Sequence, residues 1–544
     1  MTTEHDVASA EPTVDYGPGR PIGPKPVPRR FHQARWDEPI IFELSISGAR
    51  GILPPLTEPA IAAVVGNPAD ALPPGVRRER PPTLPELPQN VVVRHYDRLS
   101  QETLGADLNI DVGQGTCTMK YSPKVNDQLI RSHRAADLHP LQDESTVQGM
   151  LEIMWRLERL LAEISGLDRV TLQPGAGSAA IWANVSMIRA YHASRGEADR
   201  RTEIVTTLYS HPSNAACART AGFDVITLRP DPTTGLPRLD DLRAVVGERT
   251  AGLLITNPED TGIFNPDIES FVRVVHEAGG LASYDQANAN GTLGITNAAK
   301  AGFDLCHFNL HKTFSTPHAC GGPAAGASAV TARLAPFLPA PTVERAEDGA
   351  FYLDHDRPLA IGKIRPWYGV APNLIRAYAW IMSLGADGLR EVAEIAVLNN
   401  NYLMKRILEI AGVTAPYAVG RRRIEQVRYS WQGLTDETGV TSEEIGWRAA
   451  DHGVHFWQSH HPWVVPEPST FEPTESYSRA DLDEYAAILA RVAQEARADP
   501  DLVHTAPHRS AVHRNAHAPL DDPDRWAVTW RAYRRKIKGE EVDG

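Results

Sequence analysis

The chain has 544 residues, 42% hydrophobic and 23% charged, the make-up of a soluble globular protein too large for a single hydrophobic core. Its formal net charge of −13 argues against nucleic acid or an anionic membrane as the main partner. No apolar run approaches the ~20 residues that cross a bilayer, and the N-terminal MTTEHDVASAEPTVDYG lacks the apolar stretch of a secretory signal.

Residues 1–35, rich in Pro and Gly around YGPGRPIGPKPVPRR, read as a flexible arm. Residues 36–110, with the extended stretch LPPGVRRERPPTLPELPQ, read as an N-terminal wrapping segment. From Ser145 the pattern becomes regular. In STVQGMLEIMWRLERLLAEISG, Ser145 is placed to cap a helix and Gln148 to complete a capping box. Leu151, Met154, Trp155, Leu161 and Ile164 follow at helical spacing. Strands are then expected at EIVTTL (203–208), DVITLR (224–229), AGLLIT (251–256), LASYD (281–285) and DLCHFNL (304–310). Helices are expected near 178–194, 213–221 and 266–278. Short buried strands alternating with helices predict an α/β fold with a mostly parallel, doubly wound sheet in a large domain spanning 111–330. Beyond 330 the pattern shifts to helices and short strands, predicting a smaller C-terminal α/β domain over 331–544. The cysteines Cys117, Cys217, Cys306 and Cys320 form no C-x-x-C pair, which fits reduced thiols and a cytoplasmic location.

Ligands of such sheets bind beyond the carboxyl ends of the strands, and four features fall there. QPGAGSAA (173–180) brings small residues to a helix start, where backbone N–H groups attract phosphate; a plain structural turn fits as well. His211 in LYSHPSN follows a strand, a position also open to a structural histidine. Asp285 in SYDQANAN ends an apolar strand, where a carboxylate needs a partner, whether as a turn residue or as counter-ion to a protonated heterocycle. Lys312 in FNLHKTFSTPHACGG follows another, where desolvation would favour a neutral, nucleophilic amine over an ordinary surface ammonium. A zinc site from Cys306, His307, His311, His318 and Cys320 is disfavoured, because 307 and 311 span a strand end and no Glu follows His307.

Glycine-rich loop, His, Asp and Lys in this chain order resemble fold-type I pyridoxal phosphate enzymes. The resemblance implies a Schiff base on Lys312, Asp285 holding a proton on the pyridine nitrogen, His211 against the ring, and Gly175, Ala176, Gly177 and Ser178 at the phosphate. Longer stretches narrow it. GQGTCTMKYSPKVN, LHPLQDESTVQG, AGGLASYDQANAN, FNLHKTFSTPHACGGPAAG, GADGLREVAEIAVLNNNYL and FEPTESYSRADLD resemble the P-protein of the glycine cleavage system, and within it the subunit that carries the cofactor lysine. That resemblance runs from about residue 36 to 508. It adds Ala287 and Thr313 as cofactor residues. Thr118, Lys120, Asn288, His311 and Arg365 are its substrate candidates. A homodimer is implied, as are a separate first subunit and a lipoylated carrier if glycine is the substrate.

The chain also departs from that family. QPGAGSAAIW carries Ala179 and Ile181 where the family has His and Glu, SHPSN replaces a longer Gly-containing step, and GRRRIEQVRYS is unusually basic. These changes raise the expectation of a repurposed enzyme, one that forms an external aldimine with another amino acid and uses the stabilised carbanion for elimination or carbon–carbon bond formation, S-adenosylmethionine being one possible substrate. Trp367, Trp457, Trp463, Arg421, Arg422, Arg423 and Arg428 would suit a larger substrate. Authentic glycine decarboxylation is the alternative. A catalytically silent scaffold is the third reading, opposed by the joint presence of Lys312, Asp285 and His211.

Overall fold

A computed structural model describes residues 27–538, apart from 79, 81–82, 106, 114–119, 319–323, 366–367, 418, 460–463, 512–513, 515–526 and 528. The chain forms two compact units. The larger, Gly105–Ala506 with the described residues 27–30, is built on a seven-stranded sheet: β1 (Arg169–Thr171), β2 (Glu203–Thr207), β3 (Asp224–Leu228), β4 (Thr250–Thr256), β5 (Leu281–Gln286), β6 (Leu305–Asn309) and β7 (Gly326–Val330). Their order is β1-β7-β6-β5-β4-β2-β3. β3, β2, β4, β5 and β6 run parallel, and β7 lies antiparallel between β6 and β1. Strands β4, β5 and β6 are buried almost throughout because helices cover both faces. Helices Gly177–Ser194, Pro212–Thr220 and Ile268–Glu277 fall where the periodicity places them.

The start of helix Gln148–Ser165 differs from expectation. Ser145 lies in a 3-10 turn, where its N–H is taken by Asp143 Oδ1 at 2.9 Å, and Val147 occupies the N-cap without a side-chain bond. Gln148 is drawn instead to the hairpin β8 (Thr342–Arg345) and β9 (Phe351–Asp354): its Nε2 donates to Phe351 O at 2.7 Å and its Oε1 accepts from Phe351 N at 2.8 Å. Asp143 is the better local cap, and the distant backbone is the better partner for the amide.

Two apolar clusters flank the sheet, one built on Leu157, Phe271 and Phe308, the other on Ile188, Ile204 and Leu254. The long helix Ala371–Ile407 breaks direction at Gly385, whose φ of 66° and ψ of −174° only glycine adopts readily. Its first half joins the cluster of Leu157, while Leu403 and Ile407 join a third core with the ribbon β10 (Val427–Ser430) and β11 (Pro468–Phe471) and helix Arg479–Ala498. Arg448 in that third core is buried between Glu495 and Asp451, each 2.8 Å away.

The second unit comprises 31–104 and the described residues from 507 onward. Within it, buried Glu38 holds His95 and Arg98 of helix Gln89–Gln101, each at 3.0 Å. Trp530 stacks on Tyr533 with 5.7 Å between ring centres. Among the described residues no helix is long and apolar enough to cross a membrane, and no group of His, Cys, Asp or Glu is arranged to hold a metal.

Candidate functional site

The carboxyl ends of β2, β5 and β6 bring His211, Asp285 and Lys312 to one cavity of about 180 Å³. Lys312 sits in the turn after β6, its N–H bonded to Asn309 O at 3.0 Å, and is 6% exposed. Its amine makes no hydrogen bond or salt bridge with any described residue. Ala176, Gly177 and Ser178 line the same cavity, as do Ala287, Asn288 and His311.

Asp285 is fully buried. Asn214 Nδ2 donates to its Oδ2 at 2.9 Å, Ala287 N to its Oδ1 at 3.1 Å, and His307 Nε2 lies 3.2 Å from Oδ1. Burial opposes its charge, yet His307, His211 and the two donors hold the carboxyl below its ordinary range, so it is an anion. Burial pushes the His307 imidazole down, leaving it neutral, and His311 is lowered to about 3 by burial and by Lys312. His211 caps helix Pro212–Thr220, where its Nδ1 accepts from Ser213 N at 3.1 Å. That bond directs the ring proton to Nε2.

The glycine-rich turn is shaped by close approach. A Cβ on Gly177 would stand 2.6 Å from Asn309 Oδ1, and one on Gly175 would stand 2.7 Å from Arg365 Nη1. Helix Gly177–Ser194 begins at Ala176 with no side chain capping it, so its first N–H groups remain available at the cavity. A buried amine, a buried carboxylate lining the same cavity and an uncapped helix start next to small residues are a donor set that fits pyridoxal phosphate.

Other expected residues stand one step back. Gly175 does not line the cavity itself and packs under Arg365. Thr313 is buried with its Oγ1 accepting from Ala289 N at 2.9 Å, which ties the turn of Lys312 to the loop after Asp285. Lys120 is buried too; its Nζ reaches Thr313 O at 2.9 Å and Glu475 at 3.0 Å, and it lies 4.9 Å above the Trp380 ring. Lys120 thus braces the lysine turn. Thr118, Ala319, Cys320, Trp367 and Trp463 lie outside the described residues. Several lining residues went unnoticed in the sequence: Tyr209, Asp260, Asn309, Glu425 and Gln426, with His307 considered only as a metal ligand. Glu425 comes from a segment more than a hundred residues beyond Lys312, and nothing local marks it.

Two family models match the chain: glycine dehydrogenase, C-terminal domain, over 392–516, and aminotransferase class-V over 183–321. The glycine dehydrogenase (decarboxylating) subunit 2 of Thermococcus onnurineus is 43% identical over 517 residues, covering 94% of this chain and all of the relative. This chain belongs to the glycine dehydrogenase (decarboxylating) subunit 2 family. The Shouchella clausii member is 40% identical over 480 residues, covering 88% of this chain and 95% of its own length. Among solved structures, the inhibitor-bound glycine decarboxylase (P-protein) of the glycine cleavage system matches with a TM-score of 0.68 at 21% identity, over 81% of this chain and all of its own. A Lactobacillus brevis glutamate decarboxylase matches at 0.60 and 14% over 80% of this chain and 98% of its own. The fold is the pyridoxal-phosphate-dependent type I fold that the resemblance implied, with the mostly parallel sheet expected from the strand pattern, and the subunit 2 family is one of pyridoxal phosphate enzymes.

Proposed function

We propose that this chain is the cofactor-bearing half of a glycine decarboxylase, acting with a separate first subunit and a lipoylated carrier. The observation that carries the reading is the meeting of Lys312 and Asp285 in one buried cavity, in a chain that is 43% identical to a subunit 2 over 94% of its length. The expectation of a repurposed enzyme acting on S-adenosylmethionine finds no support in these relatives. The replaced residues Ala179 and Ile181 lie in the first turns of helix Gly177–Ser194, and Ile181 simply adds an apolar side chain to the cavity wall.

Bound pyridoxal phosphate supplies an electron sink for the electron pair left on an α-carbon when carbon dioxide leaves. The protein's part is binding, orientation and proton control. Lys312 Nζ holds the cofactor covalently. Asp285, kept anionic by Asn214 and Ala287 N–H, holds a proton on the heterocycle nitrogen. The N–H groups of Gly177 and Ser178 receive the phosphate, with Arg365 above Gly175. His211, fixed by Ser213, would lie against the ring, and Asn288 and His311, which line the same cavity, would meet the substrate. A homodimer is part of this reading, as is a cofactor domain closing at about residue 330.

The experiment is glycine–bicarbonate exchange. The purified chain, its first subunit and the lipoylated carrier should together move label from bicarbonate into the glycine carboxyl. No exchange under those conditions, with cofactor bound, would overturn the reading.

A further inference from the structure

One wall of the Lys312 cavity is formed by a carboxyl with no task in the mechanism above. Glu425, just before β10, lines the cavity at 1% exposure, and its Oε2 has no hydrogen-bond partner. Behind it lies Glu472, directly after β11 and equally buried. Glu472 Oε1 accepts from both Asn288 and Asn290, the latter at 2.9 Å. Gly291 makes room for the pair, since a Cβ there would stand 2.6 Å from Glu425 Oε2. The ionisable groups that face Glu425 are Glu472 on one side, Lys312 after β6, and Tyr284 of β5.

We propose that Glu425, backed by Glu472, passes a proton to and from Nζ of Lys312. This rests on Lys312 being the cofactor lysine.

Two adjoining buried carboxyls do not both ionise. The amides of Asn288 and Asn290 favour the anion at Glu472, whereas an anion at Glu425 would leave Oε2 buried without a donor. Burial, and then the charge of Glu472, push the Glu425 carboxyl well above its ordinary range. The imidazoles near Lys312 are poor reservoirs: burial depresses His307, His311 and His318, and Lys312 adds to the effect at each.

A lysine that alternates between a covalent bond and a free amine must gain and lose a proton each time. On release, one proton moves from Glu425 to Lys312 Nζ, and a carboxylic acid and a neutral amine become a carboxylate and an ammonium. On recapture the proton returns. No electrons are exchanged, and no further reactant is needed.

The test uses the full chain without substrate. Freed of cofactor, it is mixed with pyridoxal phosphate, and capture by Lys312 is followed by absorbance across pH. Glu425→Gln, which keeps shape but cannot take up the Lys312 proton, should slow capture about 100-fold, the low end of what positioned acid–base groups contribute. Glu425→Asp should restore part of the rate. Infrared difference spectra, cofactor-loaded minus cofactor-free, should show a protonated-carboxyl band at neutral pH that Glu425→Gln removes. Glu472→Gln withdraws the charge beside Glu425, so the acid limb of capture, where Glu425 is already protonated and cannot accept the lysine proton, should move to lower pH. A wild type without that band, or Glu425→Gln capturing at the wild-type rate, overturns the proposal. If Glu425→Gln does not fold, an unmoved acid limb in Glu472→Gln overturns it. Failure of glycine to change the bound cofactor's absorbance would count against the proposed function and leave this test intact.

Discussion

Asp285 and His307 are register partners on the neighbouring parallel strands β5 and β6, with His307 Nε2 3.2 Å from Asp285 Oδ1. The pair explains how a fully buried carboxylate is tolerated. The Asn214 amide and the Ala287 N–H donate to its oxygens while the imidazole shields it from water without neutralising it, because burial keeps His307 uncharged. Asp285 therefore stays anionic and available to a protonated heterocycle. Asp285→Asn preserves size and the Ala287 contact while removing the charge. The variant should still capture pyridoxal phosphate on Lys312, yet lose about 10²-fold or more of the glycine–bicarbonate exchange rate, the scale of one preorganised electrostatic partner. Exchange within a factor of two of wild type would show that Asp285 does not tune the cofactor.

Lys312→Ala removes the one amine among the described residues lining the cavity. Its side chain is buried and engages in no ion pair among the described residues, so the substitution costs little beyond packing. The variant should keep its thermal midpoint within a few degrees and lose the visible absorbance of covalently held cofactor, together with all exchange. Retained visible absorbance would mean that another lysine carries it.

Much of this site was legible because polar residues follow apolar strands. Lys312, Asp285 and His211 each stand where a buried run ends, and the sheet gathers those ends at one rim. What sequence concealed is non-local. The partnership of Asp285 with His307 depends on strand register, and Glu425 arrives from the segment just before β10, over a hundred residues later. Strand β7 escaped notice for a different reason. Its residues, GASAV, have little strand propensity; they are small because helix Gly177–Ser194 packs close above, with Ser328 Oγ donating to Ala180 O at 3.3 Å. The capping box at Ser145 failed because Asp143, two residues upstream, satisfied the same backbone group first.

Gly177→Ala tests the turn at the helix start. The added methyl would lie 2.6 Å from Asn309 Oδ1 and 2.7 Å from its Nδ2, closer than real Cβ contacts come. Either Asn309 or the turn must shift, and both border the cavity. The expected result is a rise of about tenfold in the cofactor dissociation constant, worth about 1.4 kcal/mol, with little change in thermal midpoint. Unchanged affinity in a titration of the cofactor-free protein would remove this turn from the binding site.

Glu259 makes a pH prediction with a definite sign. It is buried at 3% exposure, its side chain accepts from Thr207 Oγ1, and burial lifts its carboxyl from 4.5 to about 8. The folded chain thus binds this proton more tightly than the unfolded one. The resulting stability is fully present below about 4.5 and is lost as pH rises through the window up to about 8. Glu259→Gln carries no titrating proton, so its stability should decline less between pH 5 and 8 than that of wild type. The difference should be on the order of a few kcal/mol over that window. Glu158 and Glu425 are raised by burial as well, so part of the decline persists in the variant. Urea midpoints of wild type and variant at several pH values read the difference directly. Parallel curves would mean that Glu259 is already ionised in the folded protein and that Thr207 donates to a carboxylate.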